Sequence, residues 1–140
     1  MDTLILLVDD HPTMCESLRY VFTVAGAKEI REAATSEEAI GAIQEHAVDV
    51  VLLDVALGDD DGLEVLRKIK AIDASLPVLI HSFHDHRRLL ASSYHSGAAG
   101  YVIKGTDKNE LIGAVRQAAR GRSNWTIAQT RQIRQADNEL

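Results

Sequence analysis

The sequence predicts an α/β protein: a five-stranded parallel sheet, doubly wound by helices on both faces. Three observations carry this. Short apolar runs rich in Leu, Val and Ile recur along the chain, and each reads as a strand buried on both faces. Helical apolar patterns fall between them, so strand and helix alternate, which implies parallel pairing with right-handed crossovers. Several of the runs end on a charged residue. Asp9 and Asp10 follow Leu4-Ile5-Leu6-Leu7-Val8, Asp54 follows Val50-Val51-Leu52-Leu53, and Lys104 follows Tyr101-Val102-Ile103.

The first strand is the run ending at Val8. A helix follows, with Pro12 at its start, Met14, Leu18, Val21, Phe22 and Ala25 at helical spacing, and Gly26 at its end. Glu29 to Ala33 is a weaker second strand. Thr35 and Glu38 predict a capping box, and Ala39, Ile40, Ile43 and Ala47 form the next stripe. After the strand that ends at Asp54, Gly58-Asp59-Asp60-Asp61-Gly62 predicts a turn-rich loop. Asp61 is placed to cap a third helix marked by Leu63, Leu66 and Ile69. Pro77 opens the strand Val78-Leu79-Ile80-His81. The helix from about His86 to Ser96 has the weakest pattern. Gly100 to Ile103 is the fifth strand. Asp107 and Glu110 predict another capping box, Leu111, Ile112, Val115 and Ala119 face the core, and Gly121 stops the helix. Five such units build an open, flavodoxin-like sheet, and the strand order 2-1-3-4-5 follows the precedent of that fold. Residues 1–121 form this domain. Residues 122–140, rich in Gln, Arg, Asn and Ala, read as a linker or an extra C-terminal helix.

Composition narrows the function. The 140 residues suit one domain, and 46% hydrophobic with 26% charged is ordinary for a globular protein. A net charge of −6 argues against direct nucleic-acid binding by these residues. The single cysteine, Cys15, excludes an internal disulfide and reads as a small buried hydrophobe in a reducing, cytoplasmic setting. No run is long enough to span a membrane, so no membrane partner is expected.

In a doubly wound sheet the carboxyl ends of the strands line one crevice. Asp9, Asp10, Asp54 and Lys104 should therefore meet. Three carboxylates suit a hard divalent cation, and the lysine suits a phosphoryl oxygen. His81, His84 and His86 also sit near a strand end, but side chains on a strand and its loop diverge, and no cysteine accompanies them, so a zinc site is not expected. Asp59, Asp60 and Asp61 read as solvated turn residues. Asn124-Trp125-Thr126 matches a glycosylation acceptor, but no secretory signal gives it meaning.

Taken in order, Val8-Asp9-Asp10-His11-Pro12, Leu53-Asp54, Asp61-Gly62-Leu63, Ser82 and Gly100-Tyr101-Val102-Ile103-Lys104 resemble the receiver domain of bacterial response regulators. The resemblance runs from about Leu4 to Gly121 and is strongest to receivers that precede a LuxR/NarL-type helix-turn-helix. It implies that Asp54 is the phosphoacceptor, served by a sensor histidine kinase. It also implies Mg²⁺ held directly by Asp10, by Asp9 through water, and by Asp54 and the backbone carbonyl of Ala56. Ser82 and Lys104 would bind the phosphoryl oxygens, and Tyr101 would rotate inward as part of the switch. Ala56 and His84 hold positions that tune phosphate lifetime. The domain would not be an enzyme in its own right, though it would assist its own phosphorylation and dephosphorylation. A homodimer on phosphorylation is common in the family, and DNA would be reached only through an output domain absent from these residues.

Two positions depart from the family pattern. Phe83 stands where a small residue usually follows the switch hydroxyl, which predicts limited access to the site. Gly58 stands where proline is usual, which predicts a looser loop after Asp54. These two are the support for the alternative of a pseudo-receiver that binds without phosphotransfer. A stand-alone receiver acting through protein contacts is a further alternative, since no helix-turn-helix pattern follows before Leu140. A phosphatase of the haloacid dehalogenase type would need an acid two residues after its nucleophile, and neither Asp9 nor Asp54 has one.

Overall fold

The computed structural model describes residues 1–139. Five parallel strands form the main sheet: β1 (Leu4–Val8), β2 (Glu29–Ala33), β3 (Val50–Leu53), β6 (Val78–Ser82) and β7 (Gly100–Ile103). Their order across the sheet is β2-β1-β3-β6-β7, the order expected from the precedent of the flavodoxin-like fold. β4 (Ala56–Leu57) and β5 (Asp60–Asp61) make a separate antiparallel ribbon where the sequence suggested only a loop. The helices are α1 (Pro12–Val24), α2 (Ser36–Glu45), α3 (Gly62–Ile72), α4 (Arg87–His95), α5 (Lys108–Ala119) and α6 (Ile127–Asn138).

Successive strand side chains point to opposite faces, and this splits the core in two. Leu6, Val8, Val51, Leu53, Val78 and Ile80 face one way, against Ala39 of α2, Val65, Leu66 and Ile69 of α3, and Leu90 of α4. Ile5, Leu7, Val50, Leu52 and Leu79 face the other way, against Leu18 and Phe22 of α1 and Leu111, Val115 and Ala118 of α5. Every residue of β1, β3 and β6 is buried, as central parallel strands require.

The helix starts differ in detail from the sequence reading. Thr35 accepts from Glu38 N at 3.1 Å, but the Glu38 carboxylate reaches Ala34 N, one residue short of the reciprocal bond. Asp107 caps α5 through Asn109 N at 2.8 Å, which leaves Glu110 out of any box. Asp61 caps α3 through Leu63 N. The complete box lies at Thr126 and Gln129, where both arms are 3.0 Å, and it starts α6. α6 lies along α4 with Ile133 and Ala136 buried in the first core layer. Among the described residues, no helix is long and apolar enough to cross a membrane.

Candidate functional site

Parallel register brings the strand ends level. Leu53 of β3 pairs with Val8 of β1 on one side and Ile80 of β6 on the other, and Ser82 pairs with Ile103 of β7. Asp9, Asp54, Ser82 and Lys104 therefore emerge at one edge of the sheet. Lys104 Nζ lies 2.9 Å from Asp9 Oδ2 and 2.7 Å from Asp54 Oδ2, and the three side chains are only 1%, 4% and 3% exposed. A buried ammonium between two buried carboxylates is stable only because each group partners the other. Burial acts to raise the Asp9 carboxyl, but hydrogen bonds from Lys104 and His11 outweigh it and hold the group below its usual range. Burial likewise acts to lower Lys104, and the bonds to Asp54 and Asp9 outweigh it and raise the ammonium.

Asp54 Oδ1 accepts from Ala56 N at 2.9 Å, which fixes the carboxylate's rotation. Asp10 is more exposed, yet its Oδ1 is buried without a hydrogen-bond partner. A buried, unpaired carboxylate oxygen is costly unless a cation completes it. Asp9, Asp10, His11 and Asp54 each offer one donor atom within 4.8 Å of the others. Among the described residues this is the group of side chains that could hold a metal ion, and it includes none of His81, His84 and His86. His81 is buried in β6, and burial, with Lys104 adding to it, pushes its imidazole down to about 4. Cys15 is buried beneath the site, with its thiol raised to about 11 by burial and by Asp9.

His11, the fourth residue of Val8-Asp9-Asp10-His11-Pro12, joins the site. Its Nδ1 lies 2.7 Å from Asp9 Oδ1, in the middle of the acidic group. The sequence signal for this was its place directly after the aspartate pair.

Gly58 turns the chain beside Asp10. Its φ is +56°, and a Cβ there would stand 2.7 Å from Asp10 Oδ2. Proline holds φ near −65° and could not adopt this turn. The residue lets the backbone of the β4–β5 turn pass close to the Asp10 carboxylate. Asp60, in the same ribbon, accepts from Ser36 N at 2.8 Å and ties the ribbon to α2, so it is more than a solvated turn residue. Gly62 allows the close backbone contact in which its N–H donates to the Val55 carbonyl at 3.1 Å.

On the other side of the site Ser82 is fully buried, and its Oγ accepts from His84 N at 3.2 Å. Phe83 is 64% exposed, and its ring centroid lies 5.2 Å from Lys104 Nζ. The ring thus borders the lysine from the solvent side, within cation–π range. Tyr101 was expected to move inward on phosphorylation, but here it is already buried. Its hydroxyl donates to the carbonyl of the exposed His84, and burial raises its phenol to about 12. Residues 124–129 hold it there. Gln129 Nε2 donates to the Tyr101 carbonyl at 2.8 Å, and the Trp125 ring lies 6.4 Å from the Tyr101 ring. Trp125 Nε1 donates to Ala98 O, and Asn124 Nδ2 donates to Ala114 O. The tripeptide that matched a glycosylation acceptor is a structural joint.

Comparison with known proteins agrees with this geometry. Residues 5–116 match the model of the response regulator receiver domain. The response regulator UvrY of Escherichia coli K12 is 35% identical over 118 residues, 84% of this chain and 54% of UvrY. The chain thus spans about half the length of that relative. A two-component response regulator of the LuxR family from Aurantimonas superposes with a TM-score of 0.87 at 29% identity, covering 99% of both chains. The response regulator TrrA of Thermotoga maritima, solved in complex with Mg²⁺ and BeF, superposes with a TM-score of 0.75 at 30% identity, covering 84% of this chain and 99% of TrrA. The aspartates at the strand ends, the lysine that bridges them and this set of relatives lead to one conclusion: the chain belongs to the response regulator receiver domain family, in its LuxR/NarL-type branch.

Proposed function

We propose that Asp54 accepts a phosphoryl group from the phosphohistidine of a sensor histidine kinase in a Mg²⁺-dependent step. The observation that carries this reading is the bridge of Lys104 between Asp9 and Asp54 beside an unpaired Asp10 oxygen. In the transfer, an Asp54 carboxylate oxygen bonds to phosphorus as the P–N bond of the donor breaks, and that electron pair leaves with the imidazole nitrogen. Asp9, Asp10, Asp54 and the Ala56 carbonyl would hold the Mg²⁺. When bound, the cation supplies positive charge against the oxygens of the phosphoryl group. Lys104, already in contact with Asp54, needs only a small movement to reach an oxygen added there. The Ala56 N–H keeps the carboxylate oriented. Ser82 Oγ is the nearby hydroxyl donor.

Several further roles belong to this reading. Phe83 limits access from the lysine side. Ala56 and His84 tune phosphate lifetime. Tyr101 couples the site to α4, β7 and α5, and the domain assists its own phosphorylation and dephosphorylation. Residues 1–121 act as the receiver and residues 122–140 as its C-terminal extension, in a cytoplasmic protein that pairs with a second copy on phosphorylation and controls its output either through a DNA-binding domain or through protein contacts.

Intact-mass analysis after incubation with Mg²⁺ and acetyl phosphate tests the assignment. One phosphate-sized, hydroxylamine-labile increment is expected in the wild type and none in Asp54→Asn. An undiminished increment in Asp54→Asn overturns it. The position of Phe83 favours a gated site as the second reading. Phe83→Ala labelling much faster than wild type would support that gate.

A further inference from the structure

The Nδ1 of His11 faces the same three aspartates that form the acidic group. Nδ1 is 2.7 Å from Asp9 Oδ1, 3.2 Å from Asp10 Oδ1 and 3.7 Å from Asp54 Oδ2. In an octahedral site with bonds of about 2.1 Å, neighbouring donor atoms lie about 3 Å apart and opposite ones about 4.2 Å apart. The observed separations are close to those edges. The Asp10 oxygen facing the ring has no hydrogen-bond partner, so the 3.2 Å approach is a contact between two donors with nothing joining them. His11 is the N-cap of α1 but makes no side-chain capping bond; its Nδ1 is hydrogen-bonded to Asp9 Oδ1 instead, so the ring is turned into the pocket and not toward the helix. Its backbone N–H donates to Asp9 Oδ1 at 2.9 Å, which anchors the ring's base beside the aspartates.

We propose that His11 Nδ1 is a direct ligand in this pocket, which makes it a mixed three-carboxylate, one-imidazole site. Such a set takes a first-row transition cation such as Mn²⁺ in addition to Mg²⁺. Imidazole nitrogen adds binding strength to transition ions and little to Mg²⁺, which prefers oxygen and keeps its waters. The ligating tautomer carries its proton on Nε2 of a ring that is 56% exposed. The inference rests on the cation-binding reading of the aspartates, and its test separates the two.

The full chain is titrated with Mn²⁺ and, separately, with Mg²⁺, and pulsed electron paramagnetic resonance is recorded on the Mn²⁺ form with ¹⁵N-histidine labelling. Histidine nitrogen coupling is expected in the wild type and absent in His11→Ala. The same variant should lose about tenfold or more in Mn²⁺ affinity while Mg²⁺ affinity changes by less than about twofold. Unchanged circular dichroism and melting of His11→Ala verify that the fold is intact, and His11→Gln serves as a second, bulkier replacement. Bound Mn²⁺ without nitrogen coupling overturns the proposal and leaves the carboxylate site standing. Equal or tighter Mn²⁺ binding by both variants also overturns it, because the ring is then an occupant that the cation displaces. No binding of either cation by the wild type defeats the cation reading of the pocket as a whole.

Discussion

Replacing Lys104 with methionine should unfold the site from inside. The substitution keeps the length and apolar stem of the side chain and removes one positive charge that is 1% exposed. Asp9 and Asp54 are then left 4% and 3% exposed, with their nearest cation gone. Removing one partner of a buried ion pair costs about 3–5 kcal/mol, because the remaining charge is desolvated and unpaired. Two carboxylates lose the same partner here, so the upper part of that range is expected in metal-free buffer. The pH dependence has a fixed sign. The Asp9 carboxyl is lowered by folding, so its contribution is present above the ordinary value of 3.8 and is lost as pH falls through the still lower folded value. Lys104 is raised, so its contribution is present below 10.5 and is lost as pH rises beyond the folded value. The pair thus stabilises the fold across the whole interval between 3.8 and 10.5. In Lys104→Met, burial raises the Asp9 carboxyl against the His11 hydrogen bonds alone, and the deficit against wild type should shrink on acidification. Mg²⁺ should recover part of it at neutral pH by supplying the missing charge. Urea unfolding at neutral and acidic pH, with chelator and with Mg²⁺, measures all three effects. A deficit below about 1 kcal/mol in chelator at neutral pH would refute the buried-pair argument, since that is the range of an exposed pair.

Two further outcomes follow from the packing. Gly58→Ala places a Cβ 2.7 Å from Asp10 Oδ2 at a φ of +56°, so it should cost about 1–2 kcal/mol in backbone strain and weaken cation binding by displacing Asp10; titration calorimetry finding unaltered cation affinity would contradict the close approach. Ile133→Ala removes a side chain that is 5% exposed between α6 and α4, and it should cost about 2–4 kcal/mol chiefly by releasing α6; hydrogen exchange should quicken over residues 127–138 while the strand amides of β3 stay protected, and equal quickening in both would show that the helix is no separate unit.

The framework was legible in the sequence because it rests on local signals. Parallel strands buried on both faces are apolar throughout, as in Leu4–Val8 and Val78–Ser82, and helices between them fix the crossover direction. The meeting of Asp9, Asp54 and Lys104 was legible for a related reason: a residue just past a strand's carboxyl end has nowhere else to go in a doubly wound sheet. Capping was harder to read. Thr35 and Asp107 cap as their type suggests, but the reciprocal bond depends on a side chain's reach, and it forms at Thr126 and Gln129 instead.

The sequence by itself determined the alternation of strands and helices, the helices on both faces of a parallel sheet and the edge at which the charges gather, because hydrophobic periodicity and strand-end position are properties of short segments; the order of the strands came from the precedent of the fold. Only the tertiary structure decided which charges touch. Lys104 bridges two aspartates, and His11 comes within 3.7 Å of Asp54. Gly58 makes room for Asp10, and Gln129 and Trp125 hold Tyr101 inward. Each of these is a contact between segments brought together by folding, set by distances of a few ångströms that no residue pattern along the chain encodes.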